Sequence, residues 1–391
     1  MGFIKGMTMN WIAQIVGRLF LALIGLLFIA SPLLADDASA LLPVTDNKQM
    51  PYLGVYEACL GTQKTDAYAA WLHRTVIWGH DTIPFGNGST WDHIAGTYDD
   101  WFYKPWAEWV HAMPGRRMVF SIPLLPGPPD RSGPTQGPGA GEAVSLADGA
   151  AGKYNAYFKG LAETLVRQGL GDSILRLGWE WNGNWYAWKV MTTDDAHNYG
   201  AYWRQIVSTI RSVPGTENLK FDWNVSNGFK TAYDGLEAYP GDDVVDYIGV
   251  DLYDSCWSLY PAPAGADEAA LDALHRRVWS EYLLAASING LAYWQKIADD
   301  HGKPMTFPEW GLQKASNGHG GLDDPYFVQQ TFNYIHDPAH HVYFASYFDA
   351  EAGSEGDFRI TDIAGSPSPF PKASALMRQL FTVPRGDATG Q

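Results

Sequence analysis

Residues 173–180 read SILRLGWE, a short apolar run that ends in a glutamate. Seven further apolar runs of similar length occur along the chain, at residues 52–57, 75–79, 117–122, 219–225, 245–251, 304–309 and 341–348. Helical stretches separate these runs, and such alternation is the pattern of a parallel sheet covered by helices. Eight strands of this kind predict an α/β fold, a (β/α)8 TIM barrel in a single domain.

The stretches between the strands predict helices at residues 98–112, 153–168, 193–213, 288–301, 324–335 and 374–380. One connection is unusual, because residues 123–152 are rich in proline and glycine and follow the third strand. In a barrel this segment would lie on the C-terminal face. A loop of this length is either disordered or functional, and the sequence leaves both interpretations open.

The N-terminus has the order of a secretory signal peptide. Lys5 and Arg18 precede an apolar core at residues 19–30, and Ala35 offers a small residue for cleavage. The core is short for a helix that spans a bilayer, so we expect cleavage rather than anchoring. The sequence therefore predicts a signal peptide over residues 1–35, a domain over residues 36–391, and a secreted or periplasmic protein.

Composition limits the partners of the chain. Its 391 residues include 27 Lys and Arg against 43 Asp and Glu, a net charge of −16. Such an acidic protein is not expected to bind nucleic acid, or a membrane after signal cleavage, and we expect a monomer. Cys59 and Cys256 would follow the first and sixth strands, which are not neighbours in a barrel. An exported protein permits a disulfide, so the pairing stays open.

Two glutamates stand at predicted strand ends. Glu180 ends the fourth strand between Trp179 and Trp181, and Glu309 ends the seventh strand before Trp310. Barrel enzymes place catalytic residues at such ends. Cleavage of a glycosidic bond needs two carboxyl groups that face each other, one protonated and one ionised. An apolar surrounding raises the pKa of a carboxyl, so we expect Glu180 to be the acid and Glu309 the nucleophile.

The same residues carry a resemblance. The segment Arg176…Glu180-x-Asn182-Gly183-x-Trp185-Tyr186…Trp188 resembles the acid/base motif of glycoside hydrolase family 26, the β-mannanase family, and Glu309-Trp310-Gly311 is similar to its nucleophile strand. Together with Gly249-x-Asp251-x-Tyr253, the likeness extends over most of residues 36–391.

The resemblance implies a retaining mechanism within the wider clan of barrel hydrolases, and no metal or organic cofactor. It also implies that Tyr253 contacts the nucleophile. The sequence departs from the family pattern at Leu177 and Trp179, where the family has Pro and His, and at Ala187, where it has Trp. The eighth strand lacks the usual Trp platform. The resemblance therefore supports the catalytic residues better than it supports the substrate specificity of the family. A neighbouring family of the clan remains an alternative.

Other polar and aromatic residues lie near these strand ends and are candidates for substrate contact. Each of them has a structural alternative, as a turn, a cap or core packing. The candidates for substrate binding are Trp179, Asn182, Trp185, Trp188, Asn224, Tyr253, Trp257, Trp310 and His80.

The sequence therefore favours an endo-acting hydrolase of a β-linked polysaccharide, β-mannan-like or another β-glycan. Two alternatives remain. A hydrolase that trims the cell's own exopolysaccharide would need the same catalytic residues, whereas a catalytically silent barrel that binds glycan would need neither glutamate. Sugar, linkage and cleavage pattern are not readable from the sequence.

Overall fold

The computed structural model describes residues 51–97, 101–228 and 235–382. Eight parallel strands form a closed barrel in sequence order, and the eighth pairs with the first. This confirms the predicted (β/α)8 fold. The strands are β1 (Tyr52–Tyr56), β2 (Trp78–Thr82), β3 (Arg117–Ile122), β4 (Ile174–Leu177), β5 (Lys220–Ser226), β6 (Tyr247–Tyr253), β7 (Met305–Gly311) and β8 (Val342–Phe348).

Helices surround the barrel. They are α1 (Thr62–Leu72), α2 (Trp91–Ala95), α3 (Tyr103–His111), α4 (Leu146–Ala150), α5 (Asn155–Arg167), α6 (Thr193–Arg211), α7 (Gly235–Ala238), α8 (Glu268–Val278), α9 (Leu291–Asp300), α10 (Pro325–His336) and α11 (Pro371–Phe381). A π-helical turn (Trp279–Leu283) continues α8, and single 3-10 turns occur at Ala286–Ile288, Pro338–His340 and Gly353–Glu355.

The strands form because their residues can be buried on both faces. Every residue of β4 and β7 is buried, as expected for strands that have the barrel interior on one side and helices on the other. The helices begin at polar caps. The Thr192 hydroxyl accepts the backbone N–H of Asp195 at the start of α6, and the Asp324 carboxylate caps α10 ahead of Pro325.

The interior of the barrel is polar below the C-terminal face. Several fully buried side chains there bond to one another across the strands; they include Ser121, Arg176, Asn224 and Asp251. Between strands and helices the core is strongly aromatic. Trp181 and Trp223, for example, stack with their rings 5.2 Å apart. The aromatic content of the chain therefore serves the core as well as any site.

Strand boundaries agree with the sequence prediction to within two residues, except in β2 and β4. The sequence predicts β4 over residues 173–180, but the strand ends at Leu177, and Glu180 lies in the turn that follows. The sequence predicts β2 over residues 75–79, but the strand begins at Trp78 and ends at Thr82. The polar pair His80 and Asp81 therefore lies inside the barrel wall. His80 bonds to the Ser121 hydroxyl (2.9 Å), and Asp81 accepts the indole N–H of Trp106 (2.6 Å). Both side chains make hydrogen bonds within the protein that the sequence pattern does not reveal.

The segment at residues 123–152 is folded. It contains α4, and its Arg131 bonds to the carbonyl oxygens of Ala187 (2.8 Å) and Lys189 (2.6 Å) and to the Asp195 carboxylate (2.7 Å). The segment therefore packs against the connection between β4 and α6.

Two sequence predictions concern the N-terminus and the cysteines. The predicted signal peptide at residues 1–35 lies outside the described residues. Within the part of the chain that is described, no helix has the length and apolarity needed to cross a bilayer. Cys59 is exposed and Cys256 is buried, and both are free thiols.

Candidate active site

A cavity of about 600 Å³ opens at the carboxyl ends of the strands. Both strand-end glutamates reach it. Its other polar and aromatic lining residues are Tyr56, Thr82, Phe85, Trp179, Trp185, Tyr186, Ser226, Tyr253, Ser255, Trp257, Gln313, Asn317, His319, Phe348, Glu351, Ser354, Glu355 and Phe358.

Glu180 is placed by a sharp turn after β4. Gly178 and Glu180 both have left-handed backbone conformations, with φ of 51° and 50°. A Cβ at Gly178 would lie 2.6 Å from Leu124 Cγ, so glycine is required there. The backbone N–H of Glu180 donates to the Asn224 carbonyl on β5 (3.1 Å). The chain thus leaves the barrel wall and presents the Glu180 carboxyl to the cavity.

The surroundings of Glu180 favour its protonated form. Burial raises the pKa of Glu180 to about 7, and the nearby negative charge of Glu309 contributes in the same direction. Three groups oppose this rise: the Arg176 charge, the Ser226 hydroxyl and the indole N–H of Trp185, which donates to Glu180 Oε2 at 2.9 Å. The carboxyl can therefore carry a proton near neutral pH and also lose it.

Glu309 lies in an environment of the opposite kind. Arg176 Nη1 donates to its Oε1 (2.5 Å), and the Tyr253 hydroxyl donates to its Oε2 (2.6 Å). Burial alone would raise the pKa of Glu309, but the Arg176 charge and these hydrogen bonds outweigh it and lower the pKa. His80 is also close, but burial lowers its pKa to about 3, so its ring is neutral. The positive charge that holds Glu309 ionised is that of Arg176.

Arg176 is fully buried and links β4 to four other strands. Besides Glu309 it donates to the Ser121 hydroxyl (2.9 Å), the Asn224 side-chain oxygen (3.0 Å) and the Asp251 carboxylate. Asn224 in turn donates to Asp251 (3.0 Å). A buried cation needs such partners, and the network fixes the guanidinium below Glu309.

One wall of the cavity is aromatic. Trp179 donates its indole N–H to the Tyr186 hydroxyl (2.9 Å), and the Phe85 ring meets both of these rings edge-on at 5.4 and 5.6 Å. Because the single indole N–H of Trp179 is used within the protein, this wall offers ring faces and edges rather than a hydrogen-bond donor from Trp179.

A second aromatic feature lies farther from the glutamates in sequence. Trp257 is 62% exposed and stacks on the His319 ring, with centroids 4.2 Å apart. His319 is held by the Tyr260 carbonyl (2.7 Å). This pair leaves a flat indole face open to solvent at the cavity, which suits contact with a sugar ring.

The lining is rich in carboxyl groups and poor in cations. It includes Glu180, Glu309, Glu351 and Glu355, and among the described residues that line the cavity there is no lysine or arginine. Within the described ranges, no three His, Cys, Asp or Glu side chains come together in an arrangement that could hold a metal ion.

The structure brings together six of the residues predicted for the site. Both glutamates line the cavity, together with Trp179, Trp185, Tyr253 and Trp257. Lining residues such as Tyr56, Phe85 and His319 were not predicted. They come from loops or from a strand end with no motif, and only their position after a strand could have indicated them.

Two predicted aromatic platforms are corrected. Trp188 has no exposed surface; its indole N–H donates to the Trp179 carbonyl (2.7 Å), and its ring stacks behind Tyr186 at 4.5 Å. Trp310 follows Glu309 in β7, where side chains alternate between the two faces. Glu309 points to the cavity, so Trp310 points to the helices and is 1% exposed.

Three predicted polar contacts are also corrected to supporting positions. His80 and Asn224 are fully buried in the network below the cavity. Asn182 is 5% exposed and exchanges two hydrogen bonds of 2.8 Å with the backbone of Ser226. None of the three lines the cavity.

The fold and site thus define a class: a (β/α)8 barrel with two carboxyl groups of opposite pKa shift at the ends of β4 and β7. This is the arrangement that glycoside hydrolysis requires. A family model described as Glycosyl hydrolase family 26 matches residues 149–263. The predicted resemblance to this family is confirmed, over a range that includes Glu180 and Tyr253.

Two curated relatives match parts of the chain. Mannan endo-1,4-beta-mannosidase of Bifidobacterium adolescentis is 36% identical over 112 residues, which cover 27% of this chain and 11% of that protein. Endoglucanase H of Acetivibrio thermocellus is 29% identical over 153 residues, which cover 36% of this chain and 17% of that protein. The matches therefore span less than a fifth of either relative.

Solved structures extend the likeness of the fold. An endo-beta-1,4-mannanase double mutant from Cellulomonas fimi has a TM-score of 0.54 at 17% identity, covering 85% of this chain and 70% of that chain. The catalytic domain of the GH26 endo-beta-1,4-mannanase of Bacillus sp. JAMB-750 has a TM-score of 0.53 at 17% identity, covering 86% of both chains. At these identities the likeness concerns the fold.

Proposed function

We propose that this protein is an endo-acting glycoside hydrolase that cleaves a neutral β-linked polysaccharide with retention of configuration. The observation that carries the proposal is the opposite ionisation of two glutamates at one cavity. Burial raises the pKa of Glu180 to about 7, whereas the Arg176 charge lowers the pKa of Glu309. One carboxyl is thus prepared to donate a proton and the other to attack.

The proposed reaction has two steps. Glu309 attacks the anomeric carbon, the bond to the leaving oxygen breaks, and Glu180 transfers its proton to that oxygen. Water then attacks the anomeric carbon of the glycosyl-enzyme while Glu180 takes up a proton, and Glu309 leaves as a carboxylate. Tyr253 and Arg176 hold the attacking carboxylate in place through their hydrogen bonds of 2.6 and 2.5 Å.

Neutral polysaccharide is favoured by the charge of the cavity. The lining has four glutamates and, among the described residues, no cationic side chain, so a uronate or sulfated polymer would be repelled. Among neutral polymers we propose β-mannan or a related β-glycan, because the curated relatives are a mannan endo-1,4-beta-mannosidase and an endoglucanase. The signal-like residues 1–35 support action outside the cytoplasm.

The test is hydrolysis of a panel of neutral β-mannans, β-glucans and an anionic control polymer by wild type, Glu180→Ala and Glu309→Ala. We expect each substitution to lower kcat by roughly 10³-fold or more with the fold intact by circular dichroism. Glu163→Ala on the outer face of α5, where the side chain is 52% exposed, should retain wild-type activity. Near wild-type activity of either site variant would refute the assignment.

Reactions that contain azide and an activated aryl β-glycoside distinguish the nucleophile from the acid/base. In Glu309→Ala it should occupy the place of the nucleophile and give the α-glycosyl azide. In Glu180→Ala it should intercept the glycosyl-enzyme and give the β-glycosyl azide. The reverse pattern would exchange the roles, and an inverted product from wild type in ¹H NMR would contradict retention.

A further inference from the structure

Trp185 makes a direct contact with the carboxyl of Glu180. Its indole Nε1 lies 2.9 Å from Glu180 Oε2, and its ring lines the same cavity. The two residues are five positions apart on one turn, between β4 and α6. The sequence assigned Trp185 only to substrate contact, so this hydrogen bond is a separate role.

The turn that carries Trp185 is tightly fixed. The backbone N–H of Gly183 donates to the Glu180 carbonyl (2.9 Å), and Asn182 exchanges two hydrogen bonds with the backbone of Ser226 on β5. A Cβ at Gly183 would lie 2.3 Å from the Trp185 ring. The indole therefore packs directly over the glycine, and this packing sets the direction of its N–H.

We propose that Trp185 is a positioning residue that decides which oxygen of Glu180 carries the transferable proton. An indole N–H can only donate a hydrogen bond. Glu180 Oε2 therefore accepts in both the protonated and the ionised state, and because the carbonyl oxygen of a protonated carboxyl is a stronger acceptor than its hydroxyl oxygen, the proton is favoured on Oε1. The Ser226 hydroxyl also bonds to this carboxyl, but a hydroxyl can rotate and either donate or accept. The inference rests on the proposed function, because it concerns the proton that would reach the leaving oxygen.

Other charged and titratable groups act on Glu180 and must be kept constant in any test. They are Arg176 on β4, Asp251 and Tyr253 on β6, Glu309 on β7 and Tyr186 on the β4–α6 connection. Substitution of Trp185 by phenylalanine leaves all of them in place. It keeps an aromatic ring at the cavity and removes the N–H donor, together with part of the indole surface that packs over Gly183.

The experiment is a ¹³C NMR titration of the Glu180 carboxyl in the full chain, in wild type, Trp185→Phe and Trp257→Phe. The donor stabilises the ionised carboxylate, so its loss in Trp185→Phe should raise the measured pKa by about 0.5 to 1 unit. Trp257→Phe, which alters the exposed platform, should leave that pKa unchanged. Equal pKa values in wild type and Trp185→Phe would overturn the proposal.

A measurement on wild type alone guards against a variant that does not fold. The indole ¹H resonance of Trp185 should titrate with the same apparent pKa as the Glu180 carboxyl, because the hydrogen bond strengthens when the acceptor ionises. An indole resonance that stays constant through this titration would contradict the bond. Neither readout requires turnover, so they remain valid even if the proposed hydrolysis fails.

Kinetics then connects the bond to catalysis. On the polysaccharide of the panel that wild type cleaves fastest, Trp185→Phe should lower kcat about tenfold with little change in KM. An aryl glycoside with an acidic phenol as leaving group needs less protonation, so its first step should be affected less. A rise in KM alone, equal for Trp185→Phe and Trp257→Phe, would make Trp185 a sugar platform and refute the positioning role.

Discussion

Glu180 and Glu309 are the same residue type in one cavity, and their partners give them opposite properties. Glu180 faces aromatic rings and one indole donor, whereas Glu309 faces a guanidinium and a phenol hydroxyl. The ends of β4 and β7 bring both carboxyls to one cavity, and the groups around each carboxyl decide its ionisation. Sequence motifs revealed the positions and the role of Tyr253, but not the ion pair with Arg176.

These shifts predict the pH dependence of kcat/KM. Glu309 must be ionised, and its pKa is lowered below the ordinary value for glutamate, so activity should fall only in acid. Glu180 must be protonated, so activity should fall as pH rises through about 7. The measurement is kcat/KM from pH 3 to 10 on the polysaccharide identified in the panel.

The residual activity of Glu180→Ala on an aryl glycoside provides the control for this profile. Without the carboxyl, the decrease in kcat/KM near pH 7 should disappear. A profile for wild type that stays flat up to pH 9 would exclude Glu180 as the group that must be protonated.

At the scale of elements, the connection between β4 and α6 supplies Glu180 and the aromatic wall of the cavity, Trp179, Trp185 and Tyr186. Arg131 holds it from outside, with three hydrogen bonds of 2.6 to 2.8 Å to Ala187, Lys189 and Asp195. Lysine cannot reproduce this planar set of donors. We expect Arg131→Lys to lower the free energy of unfolding by about 1–3 kcal/mol, measured by urea denaturation.

Arg204 on α6 is the matched control. It also pairs with an aspartate, Asp243, but both side chains are about half exposed or more, at 48% and 66%. Arg204→Lys should therefore change the free energy of unfolding by less than about 1 kcal/mol. A loss as large as that of Arg131→Lys would show that the connection is not held by Arg131 in particular.

The elements themselves could largely be predicted. Strands buried on both faces read as apolar runs, so all eight were found, and β3 was predicted at its observed bounds. Five helices were not predicted: the short α2, α4 and α7, and the longer α1 and α8. Only Thr65, Tyr68 and Leu72 are buried in α1, and only His275 and Val278 in α8. With so few buried positions the helical periodicity is weak, and tertiary contacts decide the structure.

Tertiary contacts also explain why the predictions for Trp188 and Trp310 were wrong. A tryptophan near a strand end can face the cavity or the helices, and composition does not distinguish these cases. Trp185 and Trp188 lie three positions apart in one connection, yet only Trp185 reaches the cavity. The choice depends on how the turn at Gly183 is packed, which is a property of the folded chain.

At the scale of the whole molecule, the barrel closes between β8 and β1. Asp349, directly after β8, donates its backbone N–H to the Tyr56 carbonyl (2.8 Å), and its carboxylate accepts the Ile360 N–H (2.6 Å) and the Thr361 hydroxyl (2.5 Å). It also bonds to the buried Glu57 carboxyl, whose pKa is raised to about 10 by burial and by the Asp349 charge. Two carboxyl groups can share such a bond only if one is protonated.

The contribution of the Glu57–Asp349 contact to the stability of the closed barrel should therefore decrease as pH rises. Glu57 has a raised pKa in the folded state, so its contribution to stability is present below pH 4.5 and is lost as pH approaches 10. Glu57→Gln keeps a donor and removes the titration. Between pH 5 and pH 8 the free energy of unfolding of wild type should fall by about 1–3 kcal/mol relative to that of Glu57→Gln.

Urea denaturation at several pH values measures this difference. Glu163→Gln, which alters a half-exposed surface glutamate, should follow the wild-type dependence on pH. A parallel dependence for wild type and Glu57→Gln would mean that Glu57 is not protonated in the folded barrel.

The backbone of Glu180 has a consequence for the history of the protein. Its φ of 50° costs an ordinary L-residue about 1 kcal/mol or more, whereas glycine or asparagine adopts it readily. A lineage that had abandoned chemistry and was selected only for a stable barrel would gain by exchanging this glutamate. The acid/base role proposed for Glu180 gives a reason for a glutamate at this backbone position, whereas a barrel that only binds glycan would not need one.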